Sequence, residues 1–428
     1  MDGKVDGRSL LHMALDSNVE MLKTLLEFRT AIDIDSLDDF GFTPLCRAVT
    51  IHPNISHLHV QALIRAGARI NQRGPNGASI LHHAALEAHK LPYLRLLLSQ
   101  PDIDIDNPST EWSSPLCVAA WCLNVEGVRA LLDHGADVNF YLQNALYSTP
   151  LISVLGTRGS TTSSEDMLAI DTIIRMLFFN LPTRANVKQK VPGGRFYTAL
   201  SAASLCSSLE TLKLLLGEGA DVHQGDPDTN CMPHHFAAAN GIDNFQAIIL
   251  SYRNDLMAAD KENKNCLHWA AQFGNLKTVQ YIISRLRDDK KLQMYINQPD
   301  SDGWTPLCWA VRPHEMSFWH DMRSEQPNYA GVVRALLLND ARPDVKCMLG
   351  NGTVTENLTP LDLAKRCDAG EEIINMLQHA PDDQTGLKTS IELVSEGPVR
   401  VYASNELYSI CFNVSLNLAF LTLPQPTK

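Results

Sequence analysis

The sequence predicts an all-α protein built from repeated pairs of helices. The first observation is a six-residue phrase that recurs ten times, and the second is the leucine-rich segment with helical spacing that follows it. The phrase begins at residues 9, 43, 79, 114, 149, 198, 232, 265, 305 and 359. The intervals between its fourth positions are 34, 36, 35, 35, 49, 34, 33, 40 and 54 residues, after an initial copy at residue 12. A period of this length, stretched in three places, is typical of stacked helical repeats.

Each copy has the same anatomy. A Thr or Ser with Pro opens the first helix, as in T-P-L-C-W-A (305 to 310), because the hydroxyl caps free amides and Pro suits the first turn. The second helix is amphipathic, as in V-E-G-V-R-A-L-L (125 to 132). It is predicted to stop at a glycine, as in D-H-G-A-D-V-N (133 to 139), where the left-handed cap geometry suits glycine.

These features resemble the ankyrin repeat, with its T-P-L-H-x-A opening, its L-L-L-x-x-G-A-D-V-N close and its 33-residue period. The resemblance covers about residues 4 to 380. It implies an ankyrin-repeat solenoid of stacked antiparallel helix pairs with projecting β-hairpin fingers. We therefore expect an array over 1–380 and a non-repeat cap or tail over 381–428.

The fourth position of the phrase, which we call the slot, holds a mixture of residue types that no single catalytic or metal role requires. In the family, a slot histidine commonly ties the helix start to neighbouring backbone. The slot residues are His12, Cys46, His82, Cys117, Ile152, Ser201, His235, His268, Cys308 and Asp362. Ligands of one zinc lie within about 2.3 Å of it, whereas slot residues are a whole repeat apart. The slot is therefore predicted to be structural, and no catalytic residue, metal or cofactor is expected, the doublets His82-His83 and His234-His235 included.

The composition of the chain limits the classes of partner that it is expected to bind. The net charge of −12 disfavours capture by nucleic acid or an anionic membrane, and no apolar run reaches the 18 or so residues needed to span a bilayer. The ten cysteines form no C-x-x-C pair, and the N-terminus lacks a signal-peptide pattern. These features predict free thiols and an intracellular protein of the cytoplasm, the nucleus or both.

Four aromatic residues occupy positions where ankyrin repeats commonly expose binding side chains. Phe42 and Trp304 precede the Thr of the phrase, and Trp121 and Phe273 end first helices. Because aromatic residues are enriched at interface hot spots, they are candidate partner-binding residues. Phe236, Trp269 and Trp309 follow the slot, and either pack in the core or form an aromatic floor open to a ligand.

Insertions mark the individual parts of such an array. The first stretched interval holds a polar loop near 156–165 and the segment 183–197, which reads as an elongated finger turning at P-G-G. That segment carries Arg184, Lys188, Lys190 and Arg195 without an acidic residue. Two interpretations remain open: a solvated hairpin without a partner, or a contact for an acidic partner or a phosphate.

Three further insertions are expected. Mixed charges near 285–295 suggest a solvated helix end, and the segment 313–328 either packs on the array or covers a groove. Residues 343–357 are predicted to form a long finger. Three interpretations of the tail 381–428 remain open: a cap over the last repeat, a hairpin, or a partner-binding segment.

Two functions fit this sequence. The leading one is a non-catalytic scaffold that binds another protein along its concave face and fingers, because that is the usual role of the family. The alternative is an enzyme or small-molecule-binding accessory of a secondary-metabolite pathway, built in a groove around the irregular repeats. No nucleotide-binding, hydrolase, zinc-protease or kinase phrase is present in the sequence.

Overall fold

The structure is a computed structural model, and it describes most of the first 380 residues. The described ranges are 7–28, 32–50, 55–75, 77–143, 149–157, 163–179, 182–194, 196–251, 256–286, 291–312, 326–350 and 355–380. They fall into two compact units, one ending at residue 194 and the other beginning at residue 196. The described residues do not include 158–162 of the predicted loop near 156–165, 313–325 of the predicted insertion 313–328, Arg195 or the tail 381–428.

A first helix begins at every one of the ten predicted phrases, and a second helix follows each of them. In unit 1 the pairs are α1 (Leu10–Ala14) with α2 (Val19–Glu27), α3 (Pro44–Thr50) with α4 (His57–Arg65), α5 (Ile80–Ala85) with α6 (Leu91–Leu98), α7 (Pro115–Trp121) with α8 (Val125–Asp133), and α9 (Pro150–Leu155) with α10 (Ser164–Phe179). First helices pack on neighbouring first helices and second helices on neighbouring second helices. This is the predicted stack of helix pairs.

Unit 2 repeats the arrangement five more times. Its pairs are α11 (Ala199–Cys206) with α12 (Leu209–Gly217), α13 (Pro233–Asn240) with α14 (Ile242–Ser251), α15 (Cys266–Gln272) with α16 (Leu276–Leu286), α18 (Pro306–Val311) with α19 (Tyr329–Leu337), and α20 (Pro360–Arg366) with α21 (Glu371–Gln378). An additional helix, α17 (Lys291–Ile296), lies between the third and fourth pairs. The all-α class and the solenoid of paired helices are thus confirmed.

The helix ends follow the predicted local chemistry. Side chains of Thr149, Thr198 and Thr305 accept the amide of the residue three positions on, which caps the first helices. At the ends of second helices, Gly67 and Gly135 have φ of 96° and 89°. This left-handed geometry costs glycine little because it has no Cβ.

The segments that join consecutive repeats form turns that bond to one another. Ser301 donates its amide to Glu262 O at 2.8 Å, and Met348 donates to Asp302 O at 3.2 Å. The long finger predicted at 343–357 is an antiparallel hairpin of β1 (Cys347–Gly350) and β2 (Thr355–Leu358), with Cys347 opposite Leu358.

One insertion differs from prediction, and a second contains an additional helix. Residues 182–194 turn at Gly193 (φ 72°) but contain no β-strand in this part of the chain, so the predicted hairpin there is wrong within the described residues. In the region near 285–295, residues 287–290 lie outside the described residues, and Arg285 is exposed at the end of α16. The rest of the region is more buried than its mixed charges suggested. Its helix α17 buries Leu292, Tyr295 and Ile296, and Tyr295 Oη donates to Leu256 O at 2.5 Å. Among the described residues, no helix combines the length and apolarity needed to cross a bilayer.

The slot histidines connect each repeat to the next. His82 Nδ1 accepts the Ser79 amide at 3.1 Å, so Nε2 carries the proton and donates to Ser113 O of the following repeat at 3.0 Å. His268 repeats this with Asn265 N at 3.1 Å and Trp304 O at 3.2 Å. His12 and His235 make the same pair of contacts. Where the slot holds histidine, it is therefore a structural tie between neighbouring repeats, as the family resemblance implied.

These ties predict a stability that depends on pH. Burial lowers the pKa of His82 to about 4 and that of His268 to about 3, from an ordinary value of 6.5. Below pH 6.5 the unfolded chain therefore binds more protons than the folded chain. The free energy of unfolding should fall as pH falls from 6.5 towards 4, by about 1.4 kcal/mol per pH unit for each such histidine. Urea unfolding at several pH values measures this slope.

His82→Cys tests the assignment, because the chain itself places cysteine in three other slots. The variant should be less stable at pH 7.5. Its free energy of unfolding should also depend less steeply on pH, by the contribution of one histidine. The control His57→Ala removes an exposed histidine and should keep the slope. An unchanged slope in His82→Cys would contradict the account.

Candidate partner-binding surfaces

Two of the four aromatic candidates are partly accessible. Phe42 and Trp121 are half-buried in unit 1. The Phe42 ring lies edge-on to His83, with ring centres 6.5 Å apart, and His83 contacts Trp112 at 6.0 Å. Partner binding by Phe42 and Trp121 stays a prediction.

The expectation that Phe273 and Trp304 are exposed is wrong. Phe273 is 6% exposed, and its ring lies parallel to that of Trp269, one helical turn earlier, with centres 6.2 Å apart. Trp304 is 4% exposed, contacts Trp309 and donates its indole N–H to Met348 O at 2.7 Å. Each is covered by a neighbouring residue that the family position alone does not reveal.

A row of aromatic rings instead crosses the first helices of unit 2. Phe196, Phe236, Trp269 and Phe273, which we call the aromatic strip, have successive ring centres 5.8 to 6.2 Å apart. Phe236 and Trp269 are half-buried, whereas Trp309, at the equivalent position of the next repeat, is 3% exposed. The position after the slot is therefore core at Trp309 and partly open at Phe236 and Trp269.

Buried aspartates anchor the turns, and sequence reasoning missed them. Asp300 Oδ1 accepts the amides of Asp302 and Trp304 at 3.0 and 2.8 Å, and its Oδ2 accepts Trp309 Nε1 at 2.8 Å. Burial raises the pKa of Asp300, and the hydrogen bonds from Trp304 and Trp309 oppose this shift.

The same arrangement occurs twice more. Asp260 holds its own turn and accepts Trp269 Nε1 at 3.1 Å, and Asp38 holds its turn and pairs with the buried guanidinium of Arg47. In each case the aspartate stands nine residues before the residue that follows the slot. That spacing was the available sequence signal.

The basic segment of unit 1, residues 184–190, is largely exposed and fixed through its backbone. Asn139 donates its amide side chain to Arg184 O at 3.0 Å and accepts the Asn186 amide at 2.7 Å. Arg184 Nε donates to Phe178 O at 2.9 Å, and the guanidinium lies 5.6 Å from the centre of the Phe179 ring. Lys188 and Lys190 are exposed. The segment thus presents two lysine side chains on an anchored backbone.

Three buried side chains approach one another closely enough to consider a metal. Ligand atoms of His234, His235 and Cys266 lie within 4.8 Å of each other. Both ring nitrogens of His235, however, already bond to backbone, Nδ1 to Met232 N at 3.1 Å and Nε2 to Ala258 O at 3.2 Å. Structural zinc takes four protein ligands, so the two remaining side chains do not form such a site.

Most of the segment 313–328, which was predicted either to cover a groove or to pack on the array, lies outside the described residues. In unit 1 a recess of about 590 Å³ lies beside the ends of α4 and α6, lined by Ile64, Arg69, Gln100 and Asp102 among others. Its lining contains none of the slot histidines. The lining contributes one carboxylate, Asp102, and one guanidinium, Arg69, with amide and apolar side chains around them.

Comparison with known proteins agrees with this geometry. The sequence model of the family described as "Ankyrin repeats (3 copies)" matches residues 54–141, 200–293 and 234–317. The ten helix pairs, their slot ties and this match define a repeat protein of one family. The chain is an ankyrin-repeat protein.

Individual relatives are distant. The human transient receptor potential cation channel subfamily A member 1 is 25% identical over 368 residues, which are 71% of this chain and 32% of the channel subunit. The palmitoyltransferase AKR1 of Lachancea kluyveri is 28% identical over 114 residues, 27% of this chain and 15% of that enzyme. The chain thus spans at most about a third of the length of these relatives.

Two solved ankyrin repeat domains are similar to part of this chain. The ankyrin repeat domain of Bcl-3 has a TM-score of 0.41 and 23% identity, covering 54% of this chain and 94% of that domain. The human ASB11 ankyrin repeat domain has a TM-score of 0.43 and 23% identity, covering 57% and 97%.

The aspartate anchors predict a sharp contrast between two neighbouring acidic residues. Asp300→Ala leaves two turn amides and the Trp309 indole N–H without their acceptor, which should lower the free energy of unfolding by about 3 kcal/mol. Asp302→Ala removes an exposed carboxylate and should change it by less than about 0.5 kcal/mol. Chemical denaturation of both variants at pH 7.5 measures the difference. Equal losses in the free energy of unfolding would contradict the anchoring role of Asp300.

Proposed function

We propose that the protein is a non-catalytic scaffold that binds a partner protein through its first-helix faces and turns. Ankyrin repeats are generally protein–protein interaction modules. The proposal gives this chain two separate binding surfaces, the aromatic strip of unit 2 and the basic segment of unit 1.

The observation that carries the proposal is the pair Phe236 and Trp269. Their rings touch, with centres 5.8 Å apart, and both are half-buried on the first helices of adjacent repeats. Adjacent aromatic rings that are partly exposed leave a continuous apolar patch in water, and such patches commonly mark interaction sites. Trp is also among the residues most enriched at interface hot spots.

The patch is held rigid before binding. The bond from Trp269 Nε1 to Asp260 Oδ2 fixes the indole orientation, and the parallel Phe273 ring supports one face of it. A side chain that is already ordered loses little conformational entropy when a partner covers it. This arrangement favours a ready-made docking surface for apolar side chains.

The basic segment supports a second contact, with an acidic partner. Lys188 and Lys190 are exposed on a backbone anchored by Asn139, in a protein of net charge −12. A local positive surface of this kind attracts an acidic patch and contributes mainly to the rate of association, which salt screens.

We further propose that the protein works in a reducing intracellular compartment. The nine described cysteines are all free thiols, and six of them are buried. Buried free cysteines act as small apolar side chains and need no oxidising environment to fold.

The experiment is affinity purification from the native cells with mass spectrometry, followed by measurement of Kd for the recovered partner. Trp269→Leu inserts the residue that this chain uses in its tenth repeat, Leu363, and should weaken binding about 30-fold if Trp269 is a hot spot. Lys188→Ala/Lys190→Ala should slow association and reduce its dependence on salt.

Lys23→Ala/Lys213→Ala is the control, because it removes two exposed lysines from second helices and should leave the Kd unchanged. Circular dichroism and Tm show that each variant is folded. A partner bound equally by all variants would place the interface elsewhere. Recovery of no stoichiometric protein would contradict the scaffold proposal.

A further inference from the structure

Two cysteines from neighbouring repeats are in direct contact in unit 2. Cys308 occupies the slot of the ninth repeat, and Cys347 is the first residue of β1 in the finger that leads to the tenth. Both are 0% exposed, and their side chains interact with each other. This thiol pair is buried between a helix start and a hairpin.

The surrounding contacts hold both sulfurs in place. Cys308 Sγ lies 3.4 Å from Thr305 Oγ1, the cap of α18. Cys347 Sγ lies 3.2 Å from Leu358 O on the opposite strand, to which it donates. The adjacent residue Met348 is bonded twice to the preceding turn, through its amide to Asp302 O and through its carbonyl to Trp304 Nε1.

The other slot cysteines show that this environment is particular to Cys308. Burial raises the pKa of Cys46 to about 11 and also raises that of Cys117. The pKa of Cys308 is lowered instead, chiefly by the neighbouring Cys347 side chain. A thiol that ionises more readily beside a second thiol is the usual arrangement of a nucleophilic and a resolving cysteine.

We propose that Cys308 and Cys347 form a reversible intramolecular disulfide when the protein meets hydrogen peroxide. The Cys308 thiolate attacks one peroxide oxygen, the O–O bond breaks, and the departing hydroxide takes up a proton to give water. Cys308 is then a sulfenic acid. The Cys347 thiol loses its proton, its sulfur attacks the Cys308 sulfur, and the S–O bond breaks to release a second water. Two thiols are oxidised and one peroxide is reduced.

Because both sulfurs are buried, the peroxide must enter through local opening. The covering element is a hairpin of two four-residue strands, β1 and β2, and a hairpin of this size contributes little stability of its own. Opening of such an element needs less free energy than global unfolding. Once formed, the disulfide joins this finger covalently to the ninth repeat.

The experiment treats the reduced, folded full-length protein with hydrogen peroxide, quenches it with acid, and alkylates remaining thiols after denaturation. Trypsin then releases peptides 292–323 and 347–365, each with a single cysteine, because Pro313 protects the bond after Arg312 from cleavage. We expect a linked pair lighter by two hydrogen atoms than the two free peptides together. The oxidised protein should show a Tm higher by several degrees, and dithiothreitol should reverse both changes.

Cys117→Ser is the matched control, because Cys117 fills the same slot in the fourth repeat, and it should leave the link intact. Cys308→Ser and Cys347→Ser should each abolish the link. Recovery of both peptides separately alkylated after peroxide treatment would overturn the proposal. A link that forms only when the protein is first unfolded in urea, with other cysteines joined equally often, would also overturn it.

Discussion

The hydrogen bond from a buried slot side chain to the backbone of the next repeat is the interaction on which the fold depends. One helix pair of this size cannot bury its apolar face alone, so it is stable only when a neighbour is placed against it in register. The imidazole at the slot supplies that register, since one nitrogen bonds within its repeat and the other reaches the next turn, as at His82 and His268. Cysteine and serine fill the same space where other contacts suffice.

Once register is fixed, the remaining features follow. Turns of neighbouring repeats meet, so Ser301 can bond to Glu262 and Met348 to Asp302. The buried aspartates then orient side chains that follow the slot, as Asp260 orients Trp269. A partner-binding surface is therefore assembled from rings whose positions are set by the array rather than by the partner.

The sequence predicted those parts of the molecule that are determined locally. Helix starts depend on Thr–Pro caps, helix length on leucine spacing, and slot bonding on a side chain a few residues from its own cap. The exposure of Phe273 and Trp304 was predicted wrongly because it depends on neighbours in space. Trp304 is covered by Met348 of the next finger, and Phe273 packs on Trp269, a ring that few repeats carry at that position. The contact between Cys308 and Cys347 could likewise not be predicted from the sequence, because it depends on the path of the finger.

The most direct test of the central interaction is long-range nitrogen–proton NMR of the histidine rings in the folded protein at pH 7. The account predicts that His12, His82, His235 and His268 are neutral tautomers with the proton on Nε2, because Nδ1 accepts a backbone amide in each. It also predicts that His82, His235 and His268, whose pKa values burial lowers to about 4, about 4 and about 3, do not titrate between pH 6 and 7. Rings protonated on Nδ1, or charged near pH 6.5, would contradict the claim that slot histidines tie the repeats together.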